Sequence, residues 1–137
     1  GKGIGLKKYK TYNSYSLKPM KFKFYEYEKC STCKKARLWL ESRGLEFERI
    51  PIRDNPPNKK ELARLLKSHG GELKKLFNTS SKDYRDPSIK EVIPEISDDK
   101  AFELLIGRGN LVKRPVLVGE ELVLQGFKPE QWEQSLG

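Results

Sequence analysis

Two segments that alternate polar and apolar side chains, "KFKFYEY" at 21–27 and "LEFERIPI" at 45–52, enclose one helical pattern. Alternation with a period of two marks half-buried strands. Between them Ala36, Leu38, Trp39 and Leu40 run toward Gly44, with Arg37 and Arg43 near the end, and a glycine after the last apolar residue is a helix stop. Strand, helix and strand within about 32 residues leave little topological freedom. The two strands should be parallel and joined by a right-handed crossover.

The rest of the chain completes this unit. "RDNPPNKKELARLLKSHGG" predicts a proline turn, an N-cap at Asn58, an apolar helix face at Leu62, Leu65 and Leu66, and a Gly-Gly stop. Further helical patterns lie at 72–77, near 87–93, and at 98–107 behind Ser97. "RPVLVGEELVLQGF" predicts strands at 115–118 and 121–125 joined by Gly119 and Glu120 in a type II′ turn. "KPEQWEQSL" predicts a closing helix with its proline in the first turn. The order βαβ, helical stretch, ββα implies an α/β fold with a mixed four-stranded sheet flanked by helices. The loop after the first strand lies where chemistry gathers in open α/β sheets.

A chain of 137 residues suits a single domain. No apolar run approaches the roughly 20 residues that cross a bilayer, and the N-terminus lacks the apolar stretch of a secretory signal. A soluble, cytoplasmic protein with no membrane partner is expected. The net charge of +9 is unevenly placed: residues 1–20 hold five lysines and no acid, which leaves +4 for the rest. Direct nucleic-acid binding by the body is therefore not expected. Residues 1–19 read as a basic leader, disordered or added ahead of a native start at Met20, with 20–137 as the domain. A native basic arm, with Tyr9, Tyr12 and Tyr15 among the lysines, is the rival reading.

The only cysteines, Cys30 and Cys33, stand in "CSTCKKARLWL" at the start of the first helix. Zinc needs about four ligands, and the chain adds only His69, read as a solvated helix-end residue in another element. A structural staple is disfavoured because so short a loop removes little chain entropy and a cytoplasm keeps thiols reduced. Two ordinary buried cysteines remain an alternative. A redox pair explains more, since a cysteine just before a helix meets unpaired N–H groups and the positive end of the dipole, which stabilise a thiolate. Lys29, Lys34 and Lys35 add positive charge. Cys30 is then the exposed nucleophile, and Cys33, nearly one turn on, attacks a mixed disulfide at Cys30.

"YEKCSTCKKARLWLESRGLEFERIPI", "LKKLFNTSSKDYRD" and "GNLVKRPVLVGEELVLQGFKPEQWE" resemble, in order, the N-terminal, central and C-terminal segments of the thioredoxin-fold arsenate reductases and Spx-like regulators. The resemblance spans residues 21–136 and implies a thioredoxin-like fold with a helical insertion at about 54–110. It implies a cis proline at Pro115 beside the catalytic cysteine. Arg114 would then steady a thiolate or oxyanion near Cys30, the alternative being a surface arginine before an edge proline. Ser31, Thr32, Lys34 and Pro115 become candidate substrate contacts beside the catalytic set Cys30, Cys33 and Arg114.

The family's arsenate reductases surround their cysteine with three arginines and usually lack a second cysteine in the loop. Here Arg114 matches one arginine position, while Asn78 and Gly126 fall on the other two. The CxxC resembles that of Spx-like proteins, where it is a redox switch and the partner is the RNA polymerase α-subunit. Lys34, Lys35, Arg37 and Arg43 read as a solvated helix face. The resulting expectation is a cytoplasmic thiol-disulfide oxidoreductase with no bound metal or organic cofactor, served by glutathione, glutaredoxin or thioredoxin. The alternatives are an Spx-like regulator and a glutaredoxin-dependent arsenate reductase.

Overall fold

The computed structural model describes residues 21–136, so the leader expected over 1–19 and the start expected at Met20 lie outside the described residues. Strand β1 (Phe22–Glu26), helix α1 (Ser31–Ser42) and strand β2 (Phe47–Pro51) form the anticipated unit, with β1 and β2 parallel and Phe24 opposite Arg49. Gly44 ends α1 with φ 68°, and the N–H of Leu45 returns to the carbonyl of Leu40 at 3.3 Å. Strand β3 (Val116–Val118) runs antiparallel to β1, and β4 (Val123–Gln125) antiparallel to β3, giving the order β2-β1-β3-β4. This is a thioredoxin-like sheet.

The pleat of β1 sends its side chains to two separate cores. Phe22 and Phe24 pack with Ala36 and Leu40 of α1, with Leu117 and Leu124, and with Trp132 of the closing helix α6 (Pro129–Leu136). Tyr25 faces the other side, where the insertion packs with Leu62, Leu65, Phe77 and Leu105. The insertion begins with α2 (Lys59–Ser68), whose Asn58 cap and Glu61 form a reciprocal capping box. A 3-10 turn (Leu73–Leu76), the single-turn helices α3 (Lys82–Arg85) and α4 (Pro87–Lys90), a 3-10 turn (Ile93–Glu95), α5 (Asp98–Gly107) capped by Ser97, and a 3-10 turn (Gly109–Leu111) follow. The helix expected at 72–77 is thus the first 3-10 turn. That expected near 87–93 is α4 plus the second 3-10 turn, and α3, nucleated by the Ser81 hydroxyl on the N–H of Tyr84 at 3.1 Å, is additional.

The hairpin differs from expectation. Residues 119–122 form the connection, closed by the N–H of Gly119 on the carbonyl of Leu122 at 2.8 Å, and Gly119 lacks the positive φ of a type II′ turn. Space is what requires glycine: a Cβ there would lie 2.7 Å from Cδ1 of Phe22. Arg64 of α2 donates to the carbonyls of this loop at Gly119 (2.9 Å) and Glu120 (3.3 Å).

Two of the four cations on α1 and at its C-cap are also more than a solvated face. Lys34 and Lys35 are exposed, but Arg37 is half-buried against Glu26 and Glu41, and Arg43 lies over the Trp39 ring while pairing with Glu133.

Candidate active site

The turn that follows β1 is closed by the N–H of Cys30 on the carbonyl of Tyr27 at 3.0 Å, which leaves Cys30 extended (φ −98°, ψ 116°) as the N-cap of α1. The first N–H groups of a helix have no intrahelical acceptor. Cys30 Sγ takes one of them, accepting from the N–H of Cys33 at 3.3 Å. Sulfur therefore occupies the place of a capping oxygen, at the positive end of the helix.

The two thiols, both reduced, sit in different environments: Cys30 is half-buried and borders a cleft, while Cys33 is 1% exposed. Burial pushes the Cys33 thiol up to about 12. A backbone hydrogen bond from Tyr27 and the charge of Arg114 oppose that shift, whereas the hydrogen bond and charge of Cys30 add to it. At neutral pH Cys33 holds its proton.

The cleft, about 980 Å³, is bounded by the cysteine loop, by the segment after the first 3-10 turn and by the segments flanking the β3–β4 hairpin. Cys30, Ser31, Thr32 and Arg114 line it together. Lys34 and Pro115 do not: Lys34 points to solvent from α1, and Pro115 is buried behind the cleft wall after a cis Arg114–Pro115 peptide. Asn78 and Gly126 line the cleft as well, facing the same space as Cys30 and Arg114.

Arg114 is oriented by neighbours that sequence reasoning missed. Its guanidinium donates to Asn110 Oδ1 at 3.1 Å and lies 5.0 Å from the centre of the Tyr27 ring. The Asn110 amide donates to Asp83 Oδ2 at 2.8 Å, and Asp83 also pairs with Arg108. Asn110 and Asp83 come from separate parts of the insertion, so no spacing announces them. Buried Gln125 donates to the carbonyls of Lys113 (2.9 Å) and Leu76 (3.3 Å), and its oxygen meets His69 Nε2 at 2.8 Å. His69 is thus the helix-end residue expected, as the C-cap of α2, but half-buried in the cleft wall and not simply solvated, because the Gln125 amide spends its donors on backbone and leaves an acceptor for the ring.

A thioredoxin-like sheet with a CxxC at the N-terminus of its first helix defines a class of thiol-bearing proteins, and within it the family model described as ArsC family matches residues 25–135. The chain belongs to the ArsC family. It is 45% identical over 116 residues to the uncharacterized protein YusI of Bacillus subtilis, covering 85% of this chain and 98% of YusI. It is 27% identical over 106 residues to the regulatory protein MgsR of Bacillus subtilis, covering 77% of this chain and 82% of MgsR. A Bacteroides fragilis crystal structure, described as ArsC family related, superposes with a TM-score of 0.76 at 40% identity, over 85% of this chain and 98% of that one.

Proposed function

We propose that the protein is a thiol-disulfide oxidoreductase of a reducing, cytoplasmic compartment. One observation carries this reading: the half-buried Cys30 sulfur accepts the N–H of Cys33 at the mouth of a cleft, while the Cys33 thiol is buried one turn behind it. The Cys30 thiolate attacks a substrate disulfide, forming a Cys30–substrate S–S bond and expelling one thiolate, which takes up a proton. Cys33 then loses its proton and attacks Cys30 Sγ, forming the internal disulfide and releasing the second substrate thiol. The net change is oxidation of the protein dithiol and reduction of one disulfide to two thiols. Arg114, held by Asn110 and Tyr27, stabilises negative charge beside Cys33 and in the cleft. An external thiol such as glutathione, glutaredoxin or thioredoxin restores the dithiol.

Stoichiometry tests the scheme. With excess small disulfide and no reductant, wild-type protein should release two thiols per chain, Cys33→Ser one, and Cys30→Ser none. One thiol released by the folded Cys30→Ser variant as fast as by Cys33→Ser, or only one thiol released by the wild type, would overturn the assignment of roles.

A second reading, a redox-sensing regulator that binds the RNA polymerase α-subunit, is favoured by the similarity to MgsR, a protein named as regulatory. Capture of the α-subunit on immobilised protein, in a manner that changes between the dithiol and the disulfide, would support it. Absence of capture in both states would remove it.

A further inference from the structure

The cleft beside Cys30 is strongly asymmetric in charge. Lys29, Lys74, Lys75, Lys113, Arg114 and Lys128 line it, and the one carboxylate among the lining residues, Glu72, is paired with Lys75 at 3.1 Å. Among the described residues, Lys29, Lys74, Lys113 and Lys128 form no ion pair. Like charges gathered in a concave site repel one another and focus a positive potential on whatever enters. Such a site is complementary to an anionic guest.

Lys113 shows how the cleft is arranged for this. Its backbone is fixed on both sides, by its N–H on the carbonyl of Leu76 at 2.9 Å and by Gln125 on its own carbonyl at 2.9 Å. Its side chain crosses Gly126, where a Cβ would lie 2.9 Å from Lys113 Cε and 3.9 Å from Nζ. Gly126, held at φ 75°, leaves the passage that the lysine stem uses, so the position itself supplies no side chain and a neighbour supplies the cation.

Building on the oxidoreductase reading above, we propose that the substrate is a small disulfide bearing carboxylates, with Lys113 and Arg114 engaging its charges while Cys30 attacks its sulfur. The volume of about 980 Å³ suits a small organic molecule. The reaction is the same two-step exchange: the carboxylated disulfide is reduced to two thiols, and Cys30 and Cys33 are oxidised to a disulfide.

A matched set of alkyl disulfides tests this: 3,3′-dithiodipropionate (two negative charges), 2-hydroxyethyl disulfide (neutral) and cystamine (two positive charges). Single-turnover oxidation of the full chain is measured for each, and every rate is divided by that of the same disulfide with mercaptoethanol to remove intrinsic reactivity. The normalised order should be dianion, then neutral, then dication, with about tenfold or more between dianion and neutral at low salt. That ratio should shrink at about 1 M salt, where the Debye length falls to about 3 Å. Lys113→Gln should reduce it several-fold, whereas Lys90→Gln, a lysine on α4 outside the cleft, should leave it unchanged. Equal normalised rates for the three probes, or equal effects of Lys113→Gln and Lys90→Gln, would overturn the proposal. Failure of the oxidoreductase reading looks different: the neutral probe would then fail to oxidise the cysteine pair at all.

Discussion

Cys30 and Cys33 are three positions apart, and their surroundings make them chemically unlike. Cys30 borders the cleft as an N-cap, while Cys33 is 1% exposed with its thiol pushed up to about 12, first by burial. Iodoacetamide at pH 7 should therefore modify Cys30 at least tenfold faster than Cys33, which should react only on unfolding or toward strongly alkaline pH. Peptide mapping at timed intervals measures this, and comparable labelling of both thiols in the folded protein would contradict the assignment. Glu61 is a second residue whose environment decides its behaviour. Burial alone would raise its pKa, but donors from Tyr25 (2.7 Å), the Asn58 backbone (3.1 Å) and Lys23 (3.0 Å) outweigh it and hold the carboxyl below its usual range. The same burial and hydrogen bond push the Tyr25 phenol up. In the unfolded chain the Glu61 carboxyl titrates near ~4.3, so its stabilisation is full above that pH and is lost as pH falls through the lower folded value. Glu61→Gln should lower Tm at pH 7 and flatten the fall in Tm between about pH 5 and pH 3. An acid limb as steep as that of the wild type would exclude Glu61 as its source.

At the level of elements, the join between the insertion and the sheet depends on close backbone approach. Gly109 opens the last 3-10 turn of the insertion, and a Cβ there would lie 2.6 Å from the carbonyl oxygen of Arg53 and 2.8 Å from its Cα. Backbone cannot yield as a flexible side chain can, so Gly109→Ala must part the turn from the segment after β2. The expected cost is about 1–3 kcal/mol, or several degrees in Tm. Because Asn110 follows directly and orients Arg114, Cys30 exchange with a small disulfide should slow as well. A thermal melt and a single-turnover rate on the same sample make the check; an unchanged Tm would show that the contact relaxes without strain.

For the molecule as a whole, the cleft exists only because the segments after β1, before β3 and after β4, all at one end of the sheet, converge with the insertion on Cys30. That convergence places Arg114, Asn78 and Gly126 around one space, so an oxyanion there meets one arginine from those three positions. Each missing charge-assisted contact is worth about 1.5–3 kcal/mol, roughly ten- to a hundredfold in rate. The wild-type protein should reduce arsenate at least a hundredfold more slowly than it exchanges a small disulfide. Asn78→Arg should raise arsenate turnover more than disulfide exchange. Gly126→Arg should lower Tm instead, since that backbone is at φ 75° and the new side chain would displace Lys113. Efficient arsenate reduction by the unaltered chain would reverse this ranking.

What the sequence determined by itself is what acts over a few residues. The alternation of "KFKFYEY" and "LEFERIPI", the Gly44 stop, the caps at Asn58 and Ser97 and the cysteine at the head of α1 are one-turn effects, and they place the sheet, the helices and the Cys30 thiol. Tertiary structure alone decided what joins distant segments. Arg114 is oriented by Asn110 and Asp83, Lys113 crosses the space that Gly126 leaves open, Gln125 turns His69 into a wall of the cleft, and Gly119 is needed for the Phe22 ring and not for a turn angle. The physical reason is range: capping bonds and side-chain periodicity are set by near neighbours along the chain, whereas burial, ion pairing and steric room depend on residues that become neighbours only after the sheet has closed.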